Sequence, residues 1–315
     1  MALFSAIIYS VEDQIIYAIA NDFHPTMFFV YNSNVSVILC VIVTLAIRPK
    51  KPTSLKELLL IIFYGTLCTI VHITLQISIF AIGPGNADAL FFTSTVFTVI
   101  LSIVFLKTKP KAIEIVFIIC STTGVVFVTR YVTLFEITTE GNSISLGIIG
   151  VAFALAAAIT FAATLVLAKK LSQLATPALI AVFSYLFQYA VAGLILCTFY
   201  HAWKLPETLI SATFVASTGA TLFFGMLFEY LAVRYANPTT VSIILTLQVV
   251  LSFVGQFTLF SFPLNWTVLV GSVLIIFSCI GLLLLKKEGD GTEINDGEIN
   301  DEEAEPILDN FEILN

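Results

Sequence analysis

Charged side chains are scarce in this chain. They make up 11% of its 315 residues, while 58% are hydrophobic; soluble domains carry roughly 25% charge. A water-facing surface cannot be built from so few charges, and a soluble fold is excluded. Cysteine is sparse too. Cys40, Cys68, Cys120, Cys197 and Cys279 fall singly inside apolar runs with no CxxC-type spacing, so neither a disulfide framework nor a metal site is expected. There is no HExxH, GxSxG, Walker loop or Cys/His cluster, hence no expected catalytic residue, cofactor or enzyme activity. The basic residues are dispersed rather than gathered into a patch, which leaves nucleic acid without a footprint.

What the chain has in abundance is long apolar runs. Runs of 18 or more residues are long enough to cross about 30 Å of hydrocarbon. Backbone polar groups must be satisfied internally there, so helices or closed barrels are the options, and these runs lack the alternation of barrel strands. The expected fold is an all-α polytopic membrane protein. Breaks place helices near 2 to 20, 26 to 47, 58 to 80, 87 to 106 and 112 to 130, then 146 to 168, 177 to 200, 208 to 233, 239 to 260 and 267 to 285. The longest connection, 131 to 145, sits where two halves would be joined.

The formal charge of −7 belongs to the end of the chain, because eleven of the 21 acids follow Lys287. Up to that point fourteen basic residues face ten acidic ones. With ten helices and both termini cytosolic, the inside receives Arg48, Lys50, Lys51, Lys56, Lys107, Lys109, Lys111, Lys169, Lys170, Arg234, Lys286 and Lys287. The outside receives only Arg130 and Lys204, as the positive-inside rule requires. Plasma membrane and endomembrane stay open. A signal peptide fits the first run poorly, since a basic n-region is missing and Glu12 and Asp13 stand mid-run. Those two acids would cost roughly 5 to 7 kcal/mol at a helix centre, at about 2.5 to 3.5 each, so helix 1 needs help from its neighbours to insert.

The chain also repeats itself. Residues 118 to 124 read IICSTTG and 275 to 281 read IIFSCIG, an offset of 157. One helix earlier the offset is 153, pairing Thr93 with Thr246, Val96 with Val249 and Leu106 with Leu259. The connection after helix 4 carries Lys107, Lys109 and Lys111, whereas its counterpart SFPLN carries no charge. Equivalent loops are therefore expected on opposite faces. An odd number of helices per copy inverts the second copy, an arrangement frequent in secondary transporters. The expected units are 1–135 and 136–287, each of five helices, followed by an acidic tail, 288–315, of disordered composition.

The segments GNADALFFTSTVFTVILSIVFLK, STTGVVFV, GVAFALAAAITFAATLVLAKK and YANPTTVSIILTLQVVLSF resemble the drug/metabolite transporter superfamily with its EamA-type repeats, and more closely the G subfamily of solute carrier family 35. The resemblance covers nearly all of residues 1 to 287 and implies ten helices and alternating access. Three positions depart from the pattern. Thr95 stands where the family has proline, Tyr31 or Asn32 where a basic residue is common, and Glu12 and Asp13 where small residues are usual.

Ionisable groups inside spans are candidates for function. Glu229 comes first, with Gln76 as its partner at the 153 offset; the competing reading is a snorkelling acid paired with Arg234. Thr93, Thr95, Thr246 and Gln248 put matched polar groups on helices 4 and 9, where a midplane site would need them. Hydroxyls bonding their own helix backbone would explain the threonines equally well. Glu12 and Asp13 are candidates for proton coupling, although neighbours about 100° apart cannot share one small site equally. His72, four residues before Gln76, lies on the same face, as a titrating group or a hydrogen-bonded structural one.

Two functions compete. The first is a secondary carrier of a small organic solute, with a carboxylate such as Glu229 binding a proton or a cationic substrate. The second is a non-transporting membrane regulator or scaffold that recruits partners through its tail. In the tail, Glu303 with Ile307-Leu308 and Asp309 with Ile313-Leu314 look like acidic dileucine signals for sorting adaptors. Membrane lipid and a second copy of the chain, as a homodimer, complete the expected partners.

Overall fold

A computed structural model describes residues 1–18, 25–50, 52, 54–107, 112–135, 143–174, 176–201, 203, 209–260 and 266–293. Among these the chain is helical throughout, without a strand. The helices are α1 (Ala2–Ala18), α2 (Pro25–Ile47), α3 (Leu55–Ile82), α4 (Pro84–Phe91), α5 (Ser94–Leu106), α6 (Ala112–Phe135), α7 (Ser143–Gln173), α8 (Ala178–Phe199), α9 (Leu209–Tyr235), α10 (Pro238–Leu245), α11 (Leu247–Phe260) and α12 (Trp266–Glu293). Seven described helical stretches are long and apolar enough to cross a membrane, two of them running through α4 with α5 and α10 with α11. Ile115–Phe127 and Leu269–Gly281 are shorter apolar stretches.

The polarity of the molecule is reversed relative to a soluble protein. Leu45, Phe105, Ile195 and Val273 lie exposed, while Glu12, Asp13, Asp88 and Glu229 are 3%, 5%, 0% and 5% exposed. Apolar outside with acids inside is stable only where the surroundings are hydrocarbon.

Local sequence explains the helix ends. Ser54 caps α3 by accepting from Lys56 N at 3.1 Å. Gly83 ends it at φ +79°, which glycine adopts without strain, and donates to Ile79 O at 2.9 Å. Pro84 then opens α4, where its missing N–H costs nothing.

Where single helices are expected over 87 to 106 and 239 to 260, the structure has two broken ones. Between α4 and α5 the backbone tightens, Thr95 N donating to Phe92 O at 3.2 Å and Val96 N to Thr93 O at 3.1 Å. Between α10 and α11, Thr246 N reaches Ile243 O at 3.2 Å and Val249 N reaches Thr246 O at 3.1 Å. These one-residue-shorter bonds mark a local 3₁₀ turn. Apolar length cannot show such a break, because the apolar stretch runs on through it in both cases. The last helix also runs on, and residues 288 to 293, expected in the tail, continue α12. Backbone bonding outlasts the apolar run. Residues 108–111, 136–142, 204–208 and 261–265, with several loop charges used for topology, lie outside the described residues, as does 294–315 with both dileucine motifs.

Helices α6 and α12 pack through the repeated motif itself. A Cβ on Gly124 would stand 2.7 Å from Gly271 O and 2.8 Å from Ile275 Cγ1, and one on Gly281 would overlap the Phe117 ring. Ser278 Oγ donates to Phe117 O at 2.6 Å. Small residues allow this approach where lipid supplies no hydrophobic drive between helices. Elsewhere α3 lies along α7, α1 along α9, and α2 against α8 and α9.

Candidate functional site: a carboxylate-lined cavity

On α1, Tyr9, Glu12, Asp13 and Ile16 form one helical stripe, and on α3 Val71, His72, Leu75, Gln76 and Ile79 form another. The two stripes face a cavity of about 30 Å³. Phe91 and Phe92 come from the first helix break, Leu245 and Gln248 from beside the second, Phe161 from α7 and Glu229 from α9. About 30 Å³ admits a water-sized guest or two. A larger solute requires the helices to part.

The two adjacent acids of α1 turn to different neighbours. Glu12 Oε1 accepts from Asn32 Nδ2 of α2 at 3.2 Å, while Glu12 Oε2 is buried without a hydrogen-bond partner. Asp13 Oδ2 accepts from Gln248 Nε2 of α11 at 2.7 Å. The same amide nitrogen lies 3.3 Å from Asp88 Oδ1, and Ser252 Oγ donates to Asp88 Oδ2 at 2.5 Å. Helix 1, expected to need help, thus receives it from α2 and α11. An interhelical side-chain bond is worth about 0.6 to 2 kcal/mol, less than the roughly 2.5 to 3.5 kcal/mol that an ionised acid costs at a helix centre. Among the described residues lining the cavity there is no lysine or arginine. The wall holds three carboxyls without a matching cation.

Six of the nine expected site residues, Glu12, Asp13, His72, Gln76, Glu229 and Gln248, line this one cavity. Glu229 faces it at 5% exposed, beside the Tyr9 hydroxyl. Gln76 Oε1 accepts from Tyr189 O–H at 2.7 Å. His72 Nδ1 is 3.0 Å from Cys68 O, with its ring 4.9 Å from that of Tyr185. The threonines go elsewhere. Thr93 Oγ1 donates to Leu90 O at 2.7 Å and Thr246 Oγ1 to Ile243 O at 2.6 Å, each bonding its own helix beside the break. Thr95 Oγ1 lies 3.0 Å from Ser242 Oγ, tying α5 to α10.

Asp88 was missed by sequence reasoning. Its signal was present, an acid in an apolar stretch one residue into the expected helix 4. Asn32 was noticed only as an absent basic residue. Among the described residues no group of three or more His, Cys, Asp or Glu could hold a metal.

A helical bundle with apolar flanks, two broken helices and a polar cavity beside both breaks defines a polytopic membrane protein of the transporter class. The chain belongs to the EamA-like transporter family, whose model matches residues 1–130 and again 148–284. It is an integral, multi-pass membrane protein and a member of the drug/metabolite transporter group. It is 26% identical over 203 residues to human Solute carrier family 35 member G1, covering 64% of this chain and 55% of that protein. To its Mus musculus counterpart it is 26% identical over 202 residues, covering 62% and 54%. The chain thus spans about half the length of these relatives. One solved structure, described only as "Crystal structure of protein", superposes with TM-score 0.68 at 11% identity, covering 90% of this chain and 99% of that one; the likeness is one of fold.

Proposed function

We propose that the chain is a secondary transporter of a small organic metabolite, working by alternating access between two inverted five-helix halves. In this reading the chain crosses the membrane ten times, with both termini cytosolic. The observation that carries it is the pair of helix breaks, at Thr93 and at Thr246, 153 residues apart, with the cavity beside both. Discontinuous helices at matching positions of two repeats are where transporters bind substrate. The packing supports the same reading. α3 on α7 recurs as α9 on α1, and α2 on α9 as α8 on α3, as an exchange of halves would produce. Glu229 and its 153-offset partner Gln76 both line the cavity, and the carboxyls there are the candidates for coupling to a proton.

The test is reconstitution of the full chain in proteoliposomes, with exchange of a broad panel of labelled metabolites under imposed proton gradients. Exchange of at least one solute is expected; none under any gradient overturns the carrier reading. Glu229→Gln is expected to lower gradient-driven uptake, and equal uptake removes Glu229 from coupling. Tags on the two termini should both report the cytosolic face, and opposite faces would overturn the twin arrangement.

A further inference from the structure

We infer that the cavity accepts the ammonium head of a small primary amine, with Glu12 as its anchoring carboxylate. This rests on the transport reading and names the solute class for it. Charge comes first: Glu12, Asp13 and Glu229 line the cavity, and among the described lining residues no lysine or arginine answers them. His72 is held through Nδ1 at 3.0 Å from Cys68 O. An anionic solute would find no lysine or arginine among these lining residues to pair with, and an unpaired charge is costly in a low-dielectric wall.

The second observation points to where the head sits. Glu12 is 3% exposed, and its Oε2 makes no hydrogen bond of ordinary geometry, the neighbouring Thr221 hydroxyl donating to Thr218 O at 2.9 Å. Asp13 is already engaged by Gln248, and Asp88 behind it by Gln248 and Ser252. The acceptor left open on the wall is therefore on Glu12, with Glu229 lining the same cavity. A buried carboxylate oxygen left unbonded is costly, and a charged N–H donor relieves that cost better than a neutral one.

The third is shape. Tyr9, Phe91, Phe92 and Phe161 supply ring surface to the same cavity, and ring faces attract an ammonium that has shed its water. About 30 Å³ suits a group the size of water. An –NH₃⁺ head meets that limit and carries three donors. A trimethylammonium head is several times larger and offers no donor.

Ethanolamine and choline differ only at this head, which makes them the probes. Purified full-length protein is titrated with labelled ethanolamine, competed with choline and with acetate, and the same protein in proteoliposomes is assayed for exchange. Saturable ethanolamine binding is expected, at least tenfold tighter than choline and unaffected by acetate. Glu12→Gln should weaken it at least tenfold with the elution profile and melting temperature of the parent; if that variant does not fold, Glu229→Gln serves in its place. Equal affinity for choline, or unchanged binding in a folded Glu12→Gln, overturns the inference. Exchange of neutral or anionic solutes without ethanolamine overturns it while leaving the carrier reading standing. Ethanolamine binding with no exchange of any solute supports the site and defeats the carrier reading.

Discussion

The side-chain amide of Gln248 serves two carboxylates at once, Asp13 on α1 at 2.7 Å and Asp88 on α4 at 3.3 Å. A single residue beside one helix break thereby ties the first helix to the half-helix preceding the other break. Its counterpart at the 153 offset is Thr95, which reaches across to Ser242 of α10 at 3.0 Å. The two crossings occupy matching places, but one is a neutral hydroxyl pair and the other carries acids.

Gln248→Leu should therefore be far more damaging than Thr95→Val. The first leaves two buried carboxyls short of a donor, a loss of about 1 to 3 kcal/mol per unsatisfied group. The second removes one hydroxyl of a single neutral contact, that with Ser242. Melting of the purified variants in detergent checks this, with the larger drop expected for Gln248→Leu.

Lys169 of α7 points its Nζ at three carbonyls around the end of α9, Val233 at 3.2 Å, Arg234 at 3.1 Å and Ala236 at 3.1 Å. It satisfies acceptors that a helix terminus leaves open and sits at the negative end of the helix dipole. Lys169→Met is expected to cost about 1.5 to 3 kcal/mol, taking the net worth of a charged hydrogen bond. It should also speed proteolysis near 233 to 238, with Lys169→Arg intermediate.

At the α6–α12 seam, Gly124→Ala pushes a methyl to 2.7 Å from Gly271 O, a backbone atom that cannot swing aside. Overpacking of this kind costs about 1 to 3 kcal/mol. Folded yield after membrane extraction should fall, and Gly124→Leu should abolish it.

The helix breaks invite the opposite result. Thr93→Ala removes the Oγ1 bond to Leu90 O, and alanine favours a continuous helix more than threonine does. Stability should hold or rise while solute exchange slows several-fold. Unchanged exchange would separate the break from transport.

Much of the candidate site was legible because an acid in an apolar run is conspicuous. Glu12, Asp13 and Glu229 were marked by charge alone, Gln76 by its offset from Glu229, and His72 by its spacing from Gln76. The helix breaks were legible only as a coincidence of threonines, since a hydroxyl that bends its own helix leaves the same trace as one that binds a solute. Three departures from the family pattern proved to be bonded: Glu12 to Asn32, Asp13 to Gln248 and Thr95 to Ser242. No single departure announces its partner, because the pairs are 20, 235 and 147 residues apart.

The sequence by itself determined that this chain is helical and lives in lipid. Long apolar runs with few charges need a bilayer, and without the alternation of barrel strands only helices satisfy the backbone there. Only the tertiary structure decided which buried acids share an amide, which oxygen of Glu12 is left over, and where the apolar helices break. Those outcomes depend on contacts between segments remote in the chain, and one-dimensional spacing carries no distance across a bundle.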